Sequence, residues 1–405
     1  TYEQTSKAYK QLTAQASRLY KSAYENANSV SSTDEKLQEL IDIASFQAGQ
    51  LSYQLGEFDN AISALTSFTE KFPDDSKSIA AWNYLAWSYY QSAGRKKSSK
   101  QRKQLFTFAA ETFEKLSQKF SDDERAAEWL YQAGQAAAEA GEYDQAIAIY
   151  RRLADTYPTH KLADTALYST ANAFRAAKQY DDAIETYQTL MSKYHSSDWA
   201  DESAYSIGIC YDKLKQPDEA IVAYQAVTEK FKDSPLAANS QANIAHYYFN
   251  RKDYARALNE YQKLTKTNFP NIDAKLSTNA KSWIKDTENV LSESIYRQAV
   301  TAMSKAEDDK VSQEKRKKYA QDALVLFKQI TEKYPNSIYV DNVTVSMGAA
   351  HEILEQWEEA IASYKIIVER YPKTPPTNEI ATLIAYAQER IKTIQTYMWQ
   401  KEKFE

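Results

Sequence analysis

Three stretches of this chain are versions of one phrase: Gly141-Glu142-Tyr143-Asp144-Gln145-Ala146-Ile147, Lys178-Gln179-Tyr180-Asp181-Asp182-Ala183-Ile184 and Lys215-Gln216-Pro217-Asp218-Glu219-Ala220-Ile221. Their alanines, Ala146, Ala183 and Ala220, lie 37 residues apart both times. Each is followed by Tyr150, Tyr187 or Tyr224 one helical turn on, then by Leu153, Leu190 or Val227, and each run closes on Tyr157, Tyr194 or Phe231. A fixed period of this length marks stacked helical units, none of which can bury its apolar face alone. At 405 residues the chain is too long for one ordinary core, since cores stop growing near ~250–300 residues. A stack of units escapes that limit because each packs on its neighbours. With 7 glycines and 9 prolines the chain is also too poor in turn formers for a β-rich fold.

The phrase recurs at Gly56-Glu57-Phe58-Asp59-Asn60-Ala61-Ile62 and at Lys252-Asp253-Tyr254-Ala255-Arg256-Ala257-Leu258, and Ala323 and Ala360 are again 37 apart. From Ala257 to Ala323, however, the distance is 66 residues. Residues 271–318 are therefore out of register. We expect an extra helix near 274–289 and then a long first helix holding Ile295, Tyr296, Ala299 and Met303. Residues 2–28 read as an amphipathic helix with Tyr9, Leu12, Ala16, Leu19 and Ala23 on its apolar face. A basic insertion, Arg95 to Lys103, precedes a second helix expected to resume around Ala109. Pro375-Pro376 stops the last repeat, and 378–403 reads as a capping helix through Ile380, Leu383, Ala387, Ile391, Ile394 and Met398. The expected organisation is an N-terminal helix (1–30), units one to six (34–270, with the insertion at 94–104), an irregular helical unit (271–335), unit eight (336–372) and a cap (375–405).

Small residues fall where paired helices must cross: Gly49, Ala86, Gly134, Ala171, Gly208, Ala245 and Gly348 hold one register position. The signature alanine is expected to meet the same need from the opposite helix. Gly56 and Gly141 fall in turns, leaving only Gly94 over, so no glycine remains to build a phosphate-cradling loop.

Trp82, Leu85, Ala86 and Tyr89 stand at i, i+3, i+4 and i+7 of a first helix, and with the alanine and aromatic of the second helix they resemble the tetratricopeptide repeat. The resemblance covers most of the chain. It implies an all-α, right-handed superhelical solenoid of antiparallel helix pairs, here about eight units plus terminal helices, whose first helices line a concave, peptide-binding face. The family's shortest unit is about 34 residues; the surplus here extends the join between units, as in Tyr157-Pro158-Thr159-His160-Lys161-Leu162-Ala163-Asp164. That aromatic-Pro join resembles the repeats of Gram-negative envelope proteins, namely the lipoprotein of the outer-membrane β-barrel assembly machine and the periplasmic repeat protein of the Tol–Pal system. The resemblance implies a periplasmic or outer-membrane setting, with the cytoplasm as the other compartment to weigh.

On that implied concave face the candidate groove residues are Trp87, Tyr90, Tyr131, Gln135, Tyr168, Asn172, Arg175, Tyr205, His246 and Phe249. Tyr131, Tyr168 and Tyr205 would form a ladder, either reading a partner or packing between neighbouring first helices. Tyr and Trp give contact area at low entropy cost, and Asn or Gln can pair with a peptide backbone. Of the Lys–Asn clamp by which related co-chaperones grip a C-terminal carboxylate, only Asn172 and Arg175 have counterparts, with Tyr168 where Lys is expected. Arg95, Lys96, Lys97, Lys100, Arg102 and Lys103 form a basic surface, suited to a solvated loop or to peripheral contact with anionic lipid or an acidic partner. Lys315-Arg316-Lys317-Lys318 is a second basic cluster.

Catalysis finds no constellation. His160, His195, His246 and His351 fall in four different units with no metal-ligand spacing, and the single cysteine, Cys210, reads as a buried thiol. No cofactor is expected. A formal net charge of -5 gives nucleic acid no electrostatic footprint, and no apolar run approaches the ~20 residues of a membrane span. The chain begins at Thr1 rather than Met, so any leader or anchor is expected to be missing from this sequence. The expected function is a non-catalytic scaffold that holds other proteins. The alternative is an architectural subunit of a filament or secretion-type assembly, packing laterally through its second helices.

Overall fold

The computed structural model describes residues 11, 14–16, 18–23, 26, 35–266, 269–372 and 375–404. Among the described residues every regular element is a helix. The chain divides at Ala220/Ile221 into two compact units.

In the first unit the helices run Glu35–Gln54 with Phe58–Lys71, Ser78–Arg95 with Ser99–Lys119, Ala126–Glu139 with Tyr143–Thr156, and Ala163–Ala176 with Tyr180–Lys193, followed by Ala200–Leu214. The division falls inside Pro217–Lys230. The second unit holds Pro235–Asn250 with Tyr254–Thr265, Ala274–Glu307 with Gln313–Lys333, Val340–Ile353 with Trp357–Arg370, and the closing helix Asn378–Phe404.

Close approach of each pair depends on the small residue of its first helix. A Cβ added at Gly134 would lie 2.5 Å from the Tyr150 ring, and one at Gly348 the same distance from Tyr364. At Gly49 it would lie 2.4 Å from Leu65 Cγ. The group filling the missing side chain's space is thus the residue one turn after the signature alanine, rather than the alanine itself. Tyr364 and Leu65 are fully buried there.

The turn inside each pair has a fixed geometry. Gly56, Gly141, Lys178, Lys215, Lys252 and Glu355 all have φ between 59° and 76°, and all sit five residues before a signature alanine. The next amide closes a Schellman bond, as from Glu142 N to Ala137 O and Gln179 N to Phe174 O, both 2.9 Å. Four of these turns hold an L-residue in a left-handed conformation, at a cost of roughly 1–2 kcal/mol each.

Three expectations change. The 94–104 insertion is mostly helix: Ser98 caps Ser99–Lys119 by accepting from Gln101 N, so the second helix starts well before Ala109. Residues 274–307 form one unbroken helix of 34 residues rather than an extra helix followed by a long one. No glycine or proline occurs between Pro270 and Pro335 to interrupt it. Its first half, with Ala280 and Ile284, joins the core of Ala245, Ala257 and Tyr261, while Ala299, Met303 and Ala306 join Ala323 and Phe327. One helix therefore does the work expected of two. In the N-terminal helix Leu19 is 72% exposed, facing solvent rather than a core; Tyr9 and Leu12 lie outside the described residues.

Candidate functional site

In the first unit, first helices bring a strip of half-buried aromatic and polar side chains together. Trp87 packs edge-on against Phe113 at 5.3 Å and Tyr90 at 5.7 Å, and Tyr90 against Phe106. Burial raises the Tyr90 phenol above its usual value, with Glu139 and Tyr131 close enough to add to the shift. Tyr131 lies 5.6 Å from Tyr150 and Tyr168 lies 6.0 Å from Tyr187. Tyr168 also stacks flat on Trp199, at 4.4 Å and 11°. Tyr131 and Tyr168 of the ladder are thus partly packing residues, Tyr131 tilted against Tyr150 and Tyr168 flat on Trp199. Tyr205 is half-buried too.

Asn172 accepts from Tyr187 Oη at 2.7 Å and from an Arg175 Nη at 3.0 Å. Arg175 Nε is buried and has no hydrogen-bond partner among the described residues. Burial pushes the Tyr187 phenol up to about 12 although Arg175 pulls it down, and burial likewise pushes the fully buried Cys210 thiol up to about 11. Gln135 is half-buried and makes no side-chain hydrogen bond among the described residues. Trp199 is a site residue that the sequence reading does not single out. It precedes Ala200-Asp201 at the place that Leu162 takes before Ala163-Asp164, and that alignment is the signal that could have found it.

In the second unit His246 repeats the role of Asn172. Its Nδ1 is 2.6 Å from Tyr261 Oη, and its ring meets Trp283 edge-on at 4.4 Å. Burial lowers the His246 imidazole below its usual value. Phe249 packs on Tyr254 and Tyr261. Glu352 completes the series, accepting from Tyr364 Oη at 2.7 Å and from the Arg390 guanidinium of the closing helix. Three of the second-helix tyrosines are therefore anchored through their hydroxyls by a polar first-helix residue.

The basic surface does not survive whole. Arg95 donates to Gly56 O at 2.7 Å and lies over the Phe58 ring. Lys96 pairs with Asp59 and Lys103 with Glu142, each at 2.8 Å. Lys97, Lys100 and Arg102 are exposed and make no ion pair among the described residues. In the second cluster Arg316 pairs with Asp309 and Lys317 with Glu355.

Among the described residues no group of three His, Cys, Asp or Glu side chains could hold a metal ion, and no helix is long and apolar enough to cross a membrane.

Tetratricopeptide repeat family models match residues 44–75, 99–161 and 131–194. The chain is a tetratricopeptide repeat protein. The model of the YfiO outer membrane lipoprotein family matches residues 204–372. Among solved structures the tetratricopeptide repeat protein is similar to one from Parabacteroides merdae ATCC 43184, at 13% identity over 86% of this chain and 98% of that one, with a TM-score of 0.36. It is also similar to MamA from Desulfovibrio magneticus RS-1, at 20% identity over 45% of this chain and 93% of that one, with a TM-score of 0.33. No curated protein matches the chain. Repeats of this type generally mediate protein–protein contacts and are generally non-catalytic, which suggests an interaction scaffold.

Proposed function

We propose that the protein is a non-catalytic scaffold of the Gram-negative envelope that holds an extended segment of a partner protein along the first helices of its first compact unit. The observation that carries the reading is the strip from Trp87 to Tyr205. There Tyr131 and Tyr168 are half-buried, packed against Tyr150 and Trp199, and Gln135 makes no side-chain hydrogen bond among the described residues. Half-exposed rings on a rigid backing give contact area without ordering cost, and the polar groups between them can fix a peptide's register. The match to an outer membrane lipoprotein family over 204–372 supports the envelope setting.

Lateral assembly through second helices draws less support, because it calls for exposed aromatics there. Among the described residues of the second helices only Phe108 qualifies, at 38%, and it packs on Tyr89.

A photo-crosslinking residue placed at Gln135 in a Gram-negative host tests the groove, with the same residue at Lys115 on a second helix as the comparison. A partner captured from Gln135 and not from Lys115 is the expected result. Capture from Lys115 alone would move the working surface to the outer helices.

A further inference from the structure

From Ser76 to Ala110 the chain carries seven cations and no acidic residue, although the whole protein has a net charge of -5. The cations left exposed after internal pairing, Lys97, Lys100 and Arg102, cluster at the start of helix Ser99–Lys119. This helix begins ten residues before its signature alanine, Ala109, against three for Tyr143 and Ala146. The surplus is about two turns, roughly 10 Å of helix. It is tied down at its base, where Lys103 meets Glu142.

This charge placement works against the fold. Acidic side chains occupy the first turn of most ordinary second helices (Asp59, Asp144, Asp181, Asp182, Glu358, Glu359), where they complement the helix dipole, and in Tyr254–Thr265, which has none there, Asp253 caps the helix instead. Helix Ser99–Lys119 has none there; its first turn is basic, which costs stability and adds the dipole's positive end to the cations' potential. Helix Gln313–Lys333 also begins ten residues before its alanine, Ala323, yet carries Glu314 in its first turn and Asp309 beside Arg316. Lengthening a second helix therefore does not in itself demand an unrelieved positive end.

We propose that the Lys97–Arg102 ridge docks the protein peripherally on an anionic lipid bilayer. An acidic peptide would need directional partners for its backbone. A headgroup layer needs only cations within a Debye length, ~8 Å at physiological salt, and a projecting helix end delivers them. Each cation near an anionic leaflet strengthens binding roughly five-fold. In this placement the first-helix groove is free to hold its partner, and the two proposals stand or fall separately.

The test is flotation of the full chain with phosphatidylcholine vesicles, with and without phosphatidylglycerol. The expected result is salt-sensitive binding to the phosphatidylglycerol vesicles only. It falls on the order of a hundred-fold in the Lys97→Glu/Lys100→Glu/Arg102→Glu variant, which should melt no lower than wild type because it restores acid to the helix start. A Lys315→Glu/Lys318→Glu variant keeps the binding. The proposal is overturned if wild type ignores phosphatidylglycerol, or if the triple reversal binds as well as wild type. Binding to soluble polyglutamate without binding to vesicles would also overturn it, in favour of an acidic protein partner. Crosslinking at Gln135 reads the groove independently of every one of these outcomes.

Discussion

The regular stretch Ala126–Leu214 and the irregular stretch Ala274–Ile338 solve the same packing problem with different parts. In the regular stretch each first helix has 14 or 15 residues, and the joining loop is held from the start of the preceding first helix. Ser197 Oγ donates to Asp164 at 2.7 Å, and Trp199 Nε1 donates to Thr165 at 3.0 Å. In the irregular stretch the first helix has 34 residues, and the loop is held from its middle. The fully buried Glu288 accepts from Asn336 N at 2.6 Å and from Asn336 Nδ2 at 3.1 Å. Asn289 accepts from Ile338 N, and Ser292 shares a hydrogen bond with Ser337. Small residues and a short loop suffice while the period lasts. Once a helix doubles in length, a buried carboxylate has to set the register of the next helix pair.

The hardest blow to that comparison falls on Glu288. Glu288→Ala leaves the Asn336 amide without its acceptor and should destabilise the protein by about 2–4 kcal/mol, with Glu288→Gln costing less. Urea unfolding checks it; a loss no greater than that of the exposed Lys281→Ala would show that the clasp holds nothing. Next comes the crossing position of the regular stretch. Gly134→Ala forces the buried Tyr150 ring aside, for a net loss of about 1–3 kcal/mol despite the better helix former. Gly94→Ala, which meets nothing within 4 Å, should be neutral or stabilising in the same melts. Smaller again are the turns. Gly141→Ala should lose about 1 kcal/mol and Lys178→Gly should gain up to about that much, because both have positive φ. Equal effects in the two directions would sharpen the claim that the turn conformation, and not the residue, is what repeats.

The smallest effect separates the stretches by pH. His246, packed on Trp283 of the long helix, has its imidazole lowered by burial from the ordinary 6.5. The unfolded chain then binds a proton more readily than the folded one, so stability present above 6.5 is lost as pH falls through that value toward the lower folded one. Melting temperatures followed across this window should decline in wild type and flatten in His246→Gln. An unchanged slope in the variant would assign the decline to other groups.

Much of this architecture is legible because the period writes the same steric demand over and over. A small residue at 134, 171 or 208 and an aromatic or Val-type side chain after the alanine can hardly be read as anything but helix against helix. The long helix misleads for the opposite reason: register alone suggests a break near residue 289, while the absence of glycine and proline from 271 to 334 argues for continuity. The basic insertion misleads through composition, since Arg95 to Lys103 looks like loop although Ser98 is a cap and nothing after it stops a helix. The groove is legible as a row of residue types but not as contacts. That Tyr168 stacks on Trp199, or that Arg175 leaves one nitrogen without a partner among the described residues, depends on side-chain directions that no spacing encodes.

Cys210 turns this packing into a clock. It is the chain's single thiol, fully buried at the end of the first compact unit, with its thiolate made roughly a hundred-fold scarcer by a rise from 9.0 to about 11. A thiol reagent can reach it only when that end of the stack comes apart. The labelling rate of the unmodified protein therefore counts openings there, and a partner seated on the first helices would slow the count without any probe having been attached.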